Sequence, residues 1–379
     1  MRLLYSCSEL GLGHASRTIA LGKRLEQDGH EVLFFSGGRA YQLLKKEFKH
    51  VYPCAPVAWY ENGRGIDTWA SFVNLLFPLP VFNYEKHAFE IKNSSAMETA
   101  HRYYDLRRDI MKINPDLIVT DGDMNALRLA HNWNFRSVYI TNIIRPSYGF
   151  SPILNPGERF TERYVKPCTR IIIPDVPPPY TICGYNLSNL DSLGITGKVA
   201  FAGGFLDMTP ARGSEEHIFA PISGPFGTRA KLMQMIFPVL KELKVKSVVS
   251  LGLPGPKKTA QIGNCEIHTW LSPQERQECM RNARLVIFSG GHITCHETVK
   301  YAKPSICVPT QAEQFGNAAK LQDLGCSAIA KSSKKLRSAI QRIEENRGLF
   351  KGKVEGLSQY AANFKGIERA AEVIGDLAQ

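Results

Sequence analysis

Between Leu285 and Ala318 the sequence alternates between buried strands and helices. Two apolar runs, Leu285–Phe288 and Ser305–Val308, are each followed by a polar turn and a helical pattern. Strands joined through a helix lie parallel in one sheet. Ligands of open parallel sheets bind at the carboxyl ends of the strands, where helix N-termini present free N–H groups and a positive partial charge. The stretch therefore predicts one wall of a site for a phosphate-containing ligand.

The same alternation fills both halves of the 379-residue chain. This length exceeds the roughly 250–300 residues at which single cores split, so two domains are expected. A connector rich in proline and glycine, from Pro174 to Gly197, places the boundary near Lys198. We expect an α/β fold with two Rossmann-like parallel-sheet domains facing a cleft, residues 1–197 and 198–360. A last helix, from about Leu357 to Leu377, is expected to return to the first domain with segment 361–379.

The net charge of +12 lies mainly in the second half. An anionic ligand, an acidic membrane surface or solubility alone would each account for this balance. Lys and Arg are scattered and form no basic run interleaved with aromatic residues. Nucleic-acid binding is therefore not expected.

Cysteine usage and hydropathy indicate the compartment. The nine cysteines form no C-x-x-C pair, which favours reduced, buried thiols in a cytosolic protein. The chain enters a strand at Arg2 without a charged and then apolar leader, so no signal peptide is predicted. The apolar segment Trp69–Tyr84 is shorter than the roughly 20 residues of a spanning helix and is interrupted by Pro78 and Pro80. We expect a cytoplasmic protein without a membrane span.

A glycine loop, Gly11-Leu12-Gly13-His14, follows the first strand. It does not complete the dinucleotide fingerprint, because Ser16 occupies the third glycine position and Ser36-Gly37 replaces the acid that would hold a ribose. A nicotinamide dinucleotide is therefore not expected. His14 stands at the helix start, and an imidazole there can take a proton from an alcohol near neutral pH. The alternative is a histidine that only caps the helix.

Asp121 ends another strand of the first half, at the same sheet edge as His14. A carboxylate bonded to an imidazole fixes its tautomer and stabilises its protonated form. Asp121-Gly122-Asp123 also fits a metal-binding D-x-D, but two carboxylates alone are weak evidence for a metal. Asp123 is more simply the N-cap of the next helix. We favour a His14–Asp121 pair and a capping Asp123 over a metal site.

Other candidate site residues lie at the edge of the second half. Ser289-Gly290-Gly291 leads into a helix whose N–H groups suit a pyrophosphate. Glu297, one turn later, can accept hydrogen bonds from both ribose hydroxyls, and Glu313 and Gln314 can bind sugar hydroxyls. Each of these acids would otherwise be an ordinary helix residue. Their position on one edge of one sheet favours the binding role.

At these residues the chain resembles the inverting GT-B glycosyltransferases that include the UDP-glucuronosyl and plant glycosyltransferases and the MurG-type N-acetylglucosaminyltransferases. In overall pattern it is most similar to archaeal and bacterial probable glycosyltransferases. Gly13-His14 matches the glycine loop and base histidine of the family, and Asp121 matches the aspartate that orients the base. The donor-binding residues that the resemblance implies are Gly13, Trp270, Gln274, Ser289, Gly290, Gly291, His292, Thr294, Glu297, Glu313 and Gln314.

The sequence departs from the plant enzymes at three positions of this segment. Ser289 stands where they carry a phosphate-binding histidine, and Ile293 where they carry asparagine. Trp270 lies one residue further from the Pro-Gln pair than in their signature. The glycine turn is closer to the MurG type, which implies UDP-N-acetylglucosamine or a related UDP-hexose as the donor.

The resemblance implies an inverting transferase that needs neither a metal nor a cofactor. The second domain would bind the UDP-sugar and the first domain the acceptor, whose hydroxyl His14 would deprotonate. An aromatic-rich insertion, Val57–Glu90, suggests a lipid-linked acceptor and peripheral association with the cytoplasmic face of a membrane. Two other functions fit the same fold: a nucleotide-sugar 2-epimerase and a non-catalytic nucleotide-sugar-binding protein.

Overall fold

The computed structural model describes residues 1–9, 12–57, 60–62, 65–83, 88–147, 159, 162–224, 226–253 and 256–377. Gly11 of the glycine loop lies outside the described residues, as do Trp59 and Tyr84 of the insertion. Within the described residues the chain forms two α/β units, each built on a seven-stranded sheet. The predicted α/β architecture of two parallel-sheet domains is confirmed.

The first domain contains a fully parallel sheet. In chain order, the strands up to residue 201 are β1 (Arg2–Cys7), β2 (Glu31–Ser36), β3 (Val51–Pro53), β4 (Glu61–Asn62), β5 (Gly65–Ile66), β6 (Leu79–Asn83), β7 (Ala88–Lys92), β8 (Leu117–Asp121), β9 (Ser137–Ile140), β10 (Arg170–Ile173) and β11 (Val199–Phe201). The sheet order is β11-β10-β9-β8-β1-β2-β3. Its central strands β1 and β8 are buried almost throughout, which is why they appear in the sequence as continuous apolar runs.

Helices cover both faces of this sheet. In chain order, the helices of this half of the chain are α1 (Leu12–Gln27), α2 (Gly38–Glu47), α3 (Thr68–Asn74), α4 (Ser95–Ile113), α5 (Met124–Asn132) and the single turn α6 (Leu190–Leu193). Local chemistry sets the ends of α4, because the Ser94 side chain accepts a hydrogen bond from the Met97 N–H and Asn114 adopts a left-handed conformation. The β4–β5 and β6–β7 hairpins and α3 lie within the segment that the sequence marks as an irregular insertion.

The second domain repeats this architecture in the sheet order β14-β15-β13-β12-β16-β17-β18. Its strands are β12 (His217–Pro221), β13 (Ser247–Ser250), β14 (Thr259–Ile262), β15 (Cys265–His268), β16 (Ala283–Phe288), β17 (Ser305–Cys307) and β18 (Ser327–Ile329). The edge strand β14 is antiparallel to β15, and the other pairs are parallel. The helices are α7 (Phe226–Leu240), α8 (Pro273–Arg281), α9 (His292–Lys300), α10 (Ala312–Asp323), α11 (Ser333–Glu345), α12 (Arg347–Ala361) and α13 (Gly366–Gly375).

The chain crosses between the domains at two neighbouring places. Strand β11, just past the predicted boundary at Lys198, still pairs with β10, so the first crossing follows Phe201. The second crossing separates α12 from α13. There the backbones approach closely, since a Cβ on Gly366 would lie 2.3 Å from the Gly204 carbonyl oxygen.

The single last helix predicted from Leu357 to Leu377 is wrong, because tertiary packing divides it. Helix α12 contributes Val354 and Leu357 to the core of the second domain, whereas α13 contributes Ala370 and Ile374 to that of the first. The turn between the two helices lets one segment serve both cores. Among the described residues, no helix is both long and apolar enough to cross a membrane.

Candidate active site

His14 and Asp121 meet at the carboxyl edge of the first sheet. His14 lies in the first turn of α1, and Asp121 is the last residue of β8, next to β1. The two groups form a hydrogen bond, with Nδ1 of His14 2.6 Å from Oδ1 of Asp121. The Asp121 carboxylate is fully buried, while the His14 side chain is 23% exposed. The imidazole is therefore fixed by Asp121 on its buried side, and its other side is partly exposed to solvent.

Arg17 completes this cluster, although the sequence reasoning overlooked it. It donates to both oxygens of Asp121, at 2.6 and 3.0 Å, and to Oδ1 of Asn142 at 2.9 Å. Burial by itself would raise the pKa of Asp121, but the charges of Arg17 and His14 outweigh burial and lower that pKa. Asp121 is therefore an ionised acceptor for a proton on Nδ1 of His14, an atom that also lies 2.9 Å from Nη2 of Arg17.

The imidazole of His14 packs directly against Gly122, at the end of β8. The φ of Gly122, +72°, is in the left-handed region, and a Cβ there would lie 2.5 Å from Cε1 of His14. A glycine is thus required both by the backbone conformation and by the ring that packs on it. This is the reason for glycine between the two aspartates of the 121–123 segment.

Asp123 caps α5, as predicted, by accepting a hydrogen bond from the Asn125 N–H at 3.0 Å. Its other oxygen accepts from Arg102 at 2.9 Å and also from the Ser6 hydroxyl. Asp121 and Asp123 therefore each pair with a different buried arginine. Both carboxylates are neutralised by protein side chains, which agrees with the preference for a pair plus a cap over a metal-binding D-x-D.

The glycine turn of the second domain faces this cluster. Gly290 has a φ of +89°, and its carbonyl accepts a hydrogen bond from Nδ2 of Asn317 at 3.0 Å. Gly291 is the N-cap of α9, so the first N–H groups of that helix follow directly. A Cβ on Gly13 would lie 3.3 Å from Cδ1 of Ile293, which brings the loop that carries His14 against the start of α9.

Glu297 and Thr294 share a partner, Arg276, which the sequence reasoning also overlooked. Arg276 forms an ion pair with Oε1 of Glu297 and donates to the Thr294 hydroxyl at 3.3 Å. Oε2 of Glu297 is buried and has no hydrogen-bond partner among the residues that the structure describes. A buried carboxylate oxygen of this kind is a ready acceptor for a ligand hydroxyl.

Glu313 links the two domains. Its Oε1 accepts a hydrogen bond from Nδ2 of Asn142 at 2.7 Å and one from Asn317 at 3.3 Å. Because Asn142 also accepts from Arg17, a continuous polar chain runs from Asp121 of the first domain to Glu313 of the second. The sheet edges predicted to face each other are thus in contact.

The other predicted donor residues fall into two groups. Gln314 and Ser289 are buried, and Oε1 of Gln314 accepts from the Thr310 N–H and hydroxyl at 3.0 and 2.9 Å. Trp270 is 41% exposed, and Gln274 is exposed on the first turn of α8. The His292 ring is turned into the protein, against Asp175, so its backbone N–H is the group left to a donor phosphate.

The positions of Arg17, Asn142 and Arg276 in the sequence indicate that they could belong to the site. Arg17 lies three residues after His14 on α1, a spacing that places the two side chains on one helix face. Asn142 follows β9 at the same sheet edge as Asp121, and Arg276 follows the Pro-Gln pair at the start of α8. A search for polar residues at the ends of strands and near the starts of helices would have found Arg17, Asn142 and Arg276.

A family model matches the second domain: the glycosyltransferase family 28 C-terminal domain, over residues 264–354. Two archaeal relatives, each described as an uncharacterised glycosyltransferase, match nearly the whole chain. The one from Methanosarcina mazei is 25% identical over 98% of this chain and 97% of its own length. The one from Methanosarcina acetivorans is 23% identical over 96% of this chain and 95% of its own length.

Solved glycosyltransferase structures share the whole fold. The glycotransferase of kitacinnamycin has a TM-score of 0.67 at 15% identity, covering 99% of this chain and 98% of that one. Spinosyn rhamnosyltransferase SpnG complexed with thymidine diphosphate has a TM-score of 0.66 at 15% identity, with full coverage of both chains (100%). At such identities the likeness establishes the fold. Together, the family model, the full-length relatives and the shared fold point to a glycosyltransferase with the GT-B fold.

Proposed function

We propose that this glycosyltransferase transfers a hexose, N-acetylglucosamine or a related sugar, from a UDP-sugar to an acceptor hydroxyl with inversion and without a metal. The observation that carries the proposal is the 2.6 Å hydrogen bond between His14 and the buried Asp121. It supports a general base at the first-domain side of the cleft. The close approach of Gly13 to Ile293 supports a position for this base beside the candidate donor turn.

In the proposed mechanism, the His14 Nδ1–H donates to Asp121 and leaves the Nε2 lone pair free for the acceptor. Nε2 takes the proton of the acceptor hydroxyl while that oxygen attacks the anomeric carbon of the sugar. The bond from this carbon to the UDP oxygen breaks as the new glycosidic bond forms. A single displacement of this kind inverts the anomeric centre, and Asp121 stabilises the imidazolium that results.

The leaving diphosphate gains negative charge in this step. The N–H groups at the start of α9, after Gly290 and Gly291, and the positive end of the α9 dipole can stabilise that charge. This gives a protein-only alternative to a metal ion. Oε2 of Glu297 is the proposed acceptor for a ribose hydroxyl, and Glu313 is the proposed contact to the sugar.

The nucleotide is supported by two lines of reasoning. Solved structures of SpnG and of SsfS6 from Streptomyces sp. SF2575 are complexes with thymidine diphosphate, which supports a pyrimidine nucleoside diphosphate here. The MurG-like glycine turn favours uridine. Titration of the protein with UDP-, dTDP- and GDP-sugars tests this choice, and tighter binding of a dTDP-sugar than of its UDP counterpart would reject uridine.

We propose a lipid-linked acceptor from the surface of the insertion. Six of its large apolar side chains are between 45% and 78% exposed: Trp69, Phe72, Leu75, Leu76, Phe77 and Phe89. Such a surface is typical of contact with a membrane or a lipid chain. Sedimentation with anionic liposomes at low salt tests the proposal. A protein that stays in the supernatant would rule out the membrane association.

The transfer proposal is tested by following release of free UDP with and without candidate acceptors. A transferase releases UDP only when the acceptor is present, and the product has the opposite anomeric configuration to the donor. A 2-epimerase would instead change the sugar without an acceptor. His14→Ala is expected to lower the rate by about 10²- to 10⁴-fold, the usual contribution of a general base.

The matched control is His101→Ala, which removes an exposed histidine from α4. It is expected to leave turnover unchanged. Donor binding should survive in both variants, because His14 acts on the acceptor. Undiminished turnover in His14→Ala would exclude His14 as the base, and a wild-type protein that binds UDP-sugar but never turns over would identify a binding protein.

A further inference from the structure

A second cluster of polar side chains lies buried between the connector and α9, and the mechanism above does not use its side chains. Asp175 and Cys183 belong to the connector, and His292 and His296 occupy successive turns of α9. All four residues are buried. Nε2 of His292 lies 3.3 Å from Oδ2 of Asp175 and 3.3 Å from Nε2 of His296, which in turn lies 3.7 Å from Oδ1 of Asp175.

These distances bring the Nε2 atoms of both imidazoles together beside the Asp175 carboxylate, with each imidazole next to a different carboxylate oxygen. A tetrahedral ion with bonds of about 2.0–2.1 Å to nitrogen and oxygen has ligand atoms about 3.3 Å apart. Both imidazoles present Nε2 to the same carboxylate, and a neutral imidazole has only one N–H to donate. A bound cation accepts lone pairs from both Nε2 atoms and from the carboxylate at once.

The Cys183 thiol lies beside two of these groups, Asp175 and His292. The ligand atoms of Asp175, Cys183 and His292 all lie within 4.8 Å of one another. A thiolate, a carboxylate and two imidazoles form the nitrogen, oxygen and sulfur set that zinc prefers. The two anionic ligands balance the two charges of the ion, so the loaded site is neutral and suited to burial.

Other groups hold these ligands in position. Oδ1 of Asp175 accepts a hydrogen bond from the Val176 N–H at 2.8 Å, and Oδ2 accepts one from the Cys183 N–H at 2.8 Å. The two histidines are four residues apart on a helix, the spacing at which side chains project from one face. The carboxylate is thus oriented by backbone N–H groups, as metal-binding carboxylates are in proteins, while Nδ1 of His296 is buried without a partner among the described residues.

We propose that Asp175, Cys183, His292 and His296 bind one zinc-class divalent ion between the connector and the second domain. With four protein ligands the site is closed, which is the arrangement of structural zinc rather than of catalytic zinc. His292 is the first residue of α9, directly after Gly290 and Gly291. The ion therefore fastens the proposed diphosphate-binding turn to the connector, and it takes no part in sugar transfer.

The test uses the full-length protein, treated with a chelator and then titrated with Co²⁺ and Zn²⁺. One equivalent of Co²⁺ is expected to bind with the intense visible bands of a tetrahedral site and a thiolate charge-transfer band in the near ultraviolet. Zn²⁺ should displace it and raise the melting temperature. Cys183→Ser should remove the thiolate band, and the double variant His292→Gln/His296→Gln should lose binding at least 100-fold.

Cys279→Ser is the matched control, because Cys279 is a half-buried thiol outside the cluster. It should bind Co²⁺ with the wild-type spectrum. The proposal is overturned if the wild-type protein binds less than stoichiometric Co²⁺, or if the double histidine variant retains wild-type affinity. If a variant does not fold, the spectrum and stoichiometry of the wild-type protein decide the question. Neither readout depends on transferase activity.

Discussion

Two arginines of the first domain, Arg17 and Arg102, are buried beside the same strand end and yet have different surroundings. Arg17 pairs with Asp121, and Arg102 pairs with Asp123, two residues later. Around Arg102 the remaining partners are Glu9 and the backbone carbonyls of Cys7 and Ala55. Around Arg17 they are side chains at the cleft, His14 and Asn142.

This contrast separates support of the fold from support of the site. Arg102 joins the end of β1, the segment after β3 and the start of α5, so its partners are groups whose positions define the sheet edge. The partners of Arg17 are the partly exposed imidazole of His14 and the side chain of Asn142, which contacts the second domain. Although the two ion pairs are chemically similar, loss of the Arg102 pair is expected to lower mainly stability and loss of the Arg17 pair mainly kcat.

The largest effect is expected from Arg102→Met, which should lower the free energy of unfolding by about 3–5 kcal/mol. The change leaves Asp123 and Glu9 buried without their counter-charge, and an unpaired buried charge is costly. The folded fraction should keep the wild-type kcat. Chemical denaturation and active-site-normalised kinetics measure the two quantities. Arg108→Met, an exposed position on α4, is the control and should change neither.

Arg17→Met is expected to lower kcat by about 10²-fold, equivalent to about 2.7 kcal/mol of transition-state stabilisation. Without Arg17 the pKa of Asp121 rises, because burial is no longer opposed by the guanidinium, and the carboxylate holds the His14 proton less firmly. Arg24→Met, which removes a surface ion pair from the same helix, serves as the control. If kcat survived in Arg17→Met and fell in Arg102→Met, the assignment of the two arginines would be reversed.

A smaller effect is expected from Asn142→Ala, which removes one of the hydrogen bonds between the domains. Loss of about 1 kcal/mol for one hydrogen bond corresponds to a rise of about fivefold in the donor KM, with kcat changed less. Initial-rate kinetics with varied donor concentration measure this. In a Glu313→Ala background the same substitution should add little, because the shared bond is already lost. Fully additive effects would show that Asn142 and Glu313 are energetically independent.

The smallest predicted effect is a difference in the free energy of unfolding between wild type and Asp121→Asn that appears only at acidic pH. The folded-state pKa of Asp121 is lowered, so its contribution to stability is complete above its ordinary value of 3.8 and is lost as the pH falls further, through the folded pKa. Between about pH 5 and pH 2 the unfolding free energy of wild type should therefore fall more steeply than that of Asp121→Asn. Asp116→Asn, at the other end of β8, is the control. Equal slopes for wild type and Asp121→Asn would contradict an ionised Asp121.

The parts of the fold that were predictable from sequence depend on neighbours along the chain. The start of helix α8 is one such part, since Ser272 and Glu275 form a capping box around Pro273. The division between α12 and α13 was not predictable. It depends on the approach of Gly366 to Gly204, and these residues are far apart in the sequence.

The candidate site likewise contains residues that could be predicted from the sequence and residues that could not. His14 and Asp121 could be paired from the sequence because each ends or follows a parallel strand, and such ends share one edge. The cluster around Asp175 could not be found, since the connector has no periodic pattern that would place Cys183 against α9. Side chains on irregular segments are positioned by tertiary contacts that no local pattern encodes.

Helix α13 also bears on how the chain folds as it is synthesised. Ala370 and Ile374 belong to the same apolar cluster as Leu21 and Leu25 of α1, so residues at opposite ends of the sequence share one core. When the first 201 residues have left the ribosome, the face of α1 that α13 covers is still open. The first domain can close only after the second has been made, and until then its nascent chain presents an apolar groove to chaperones.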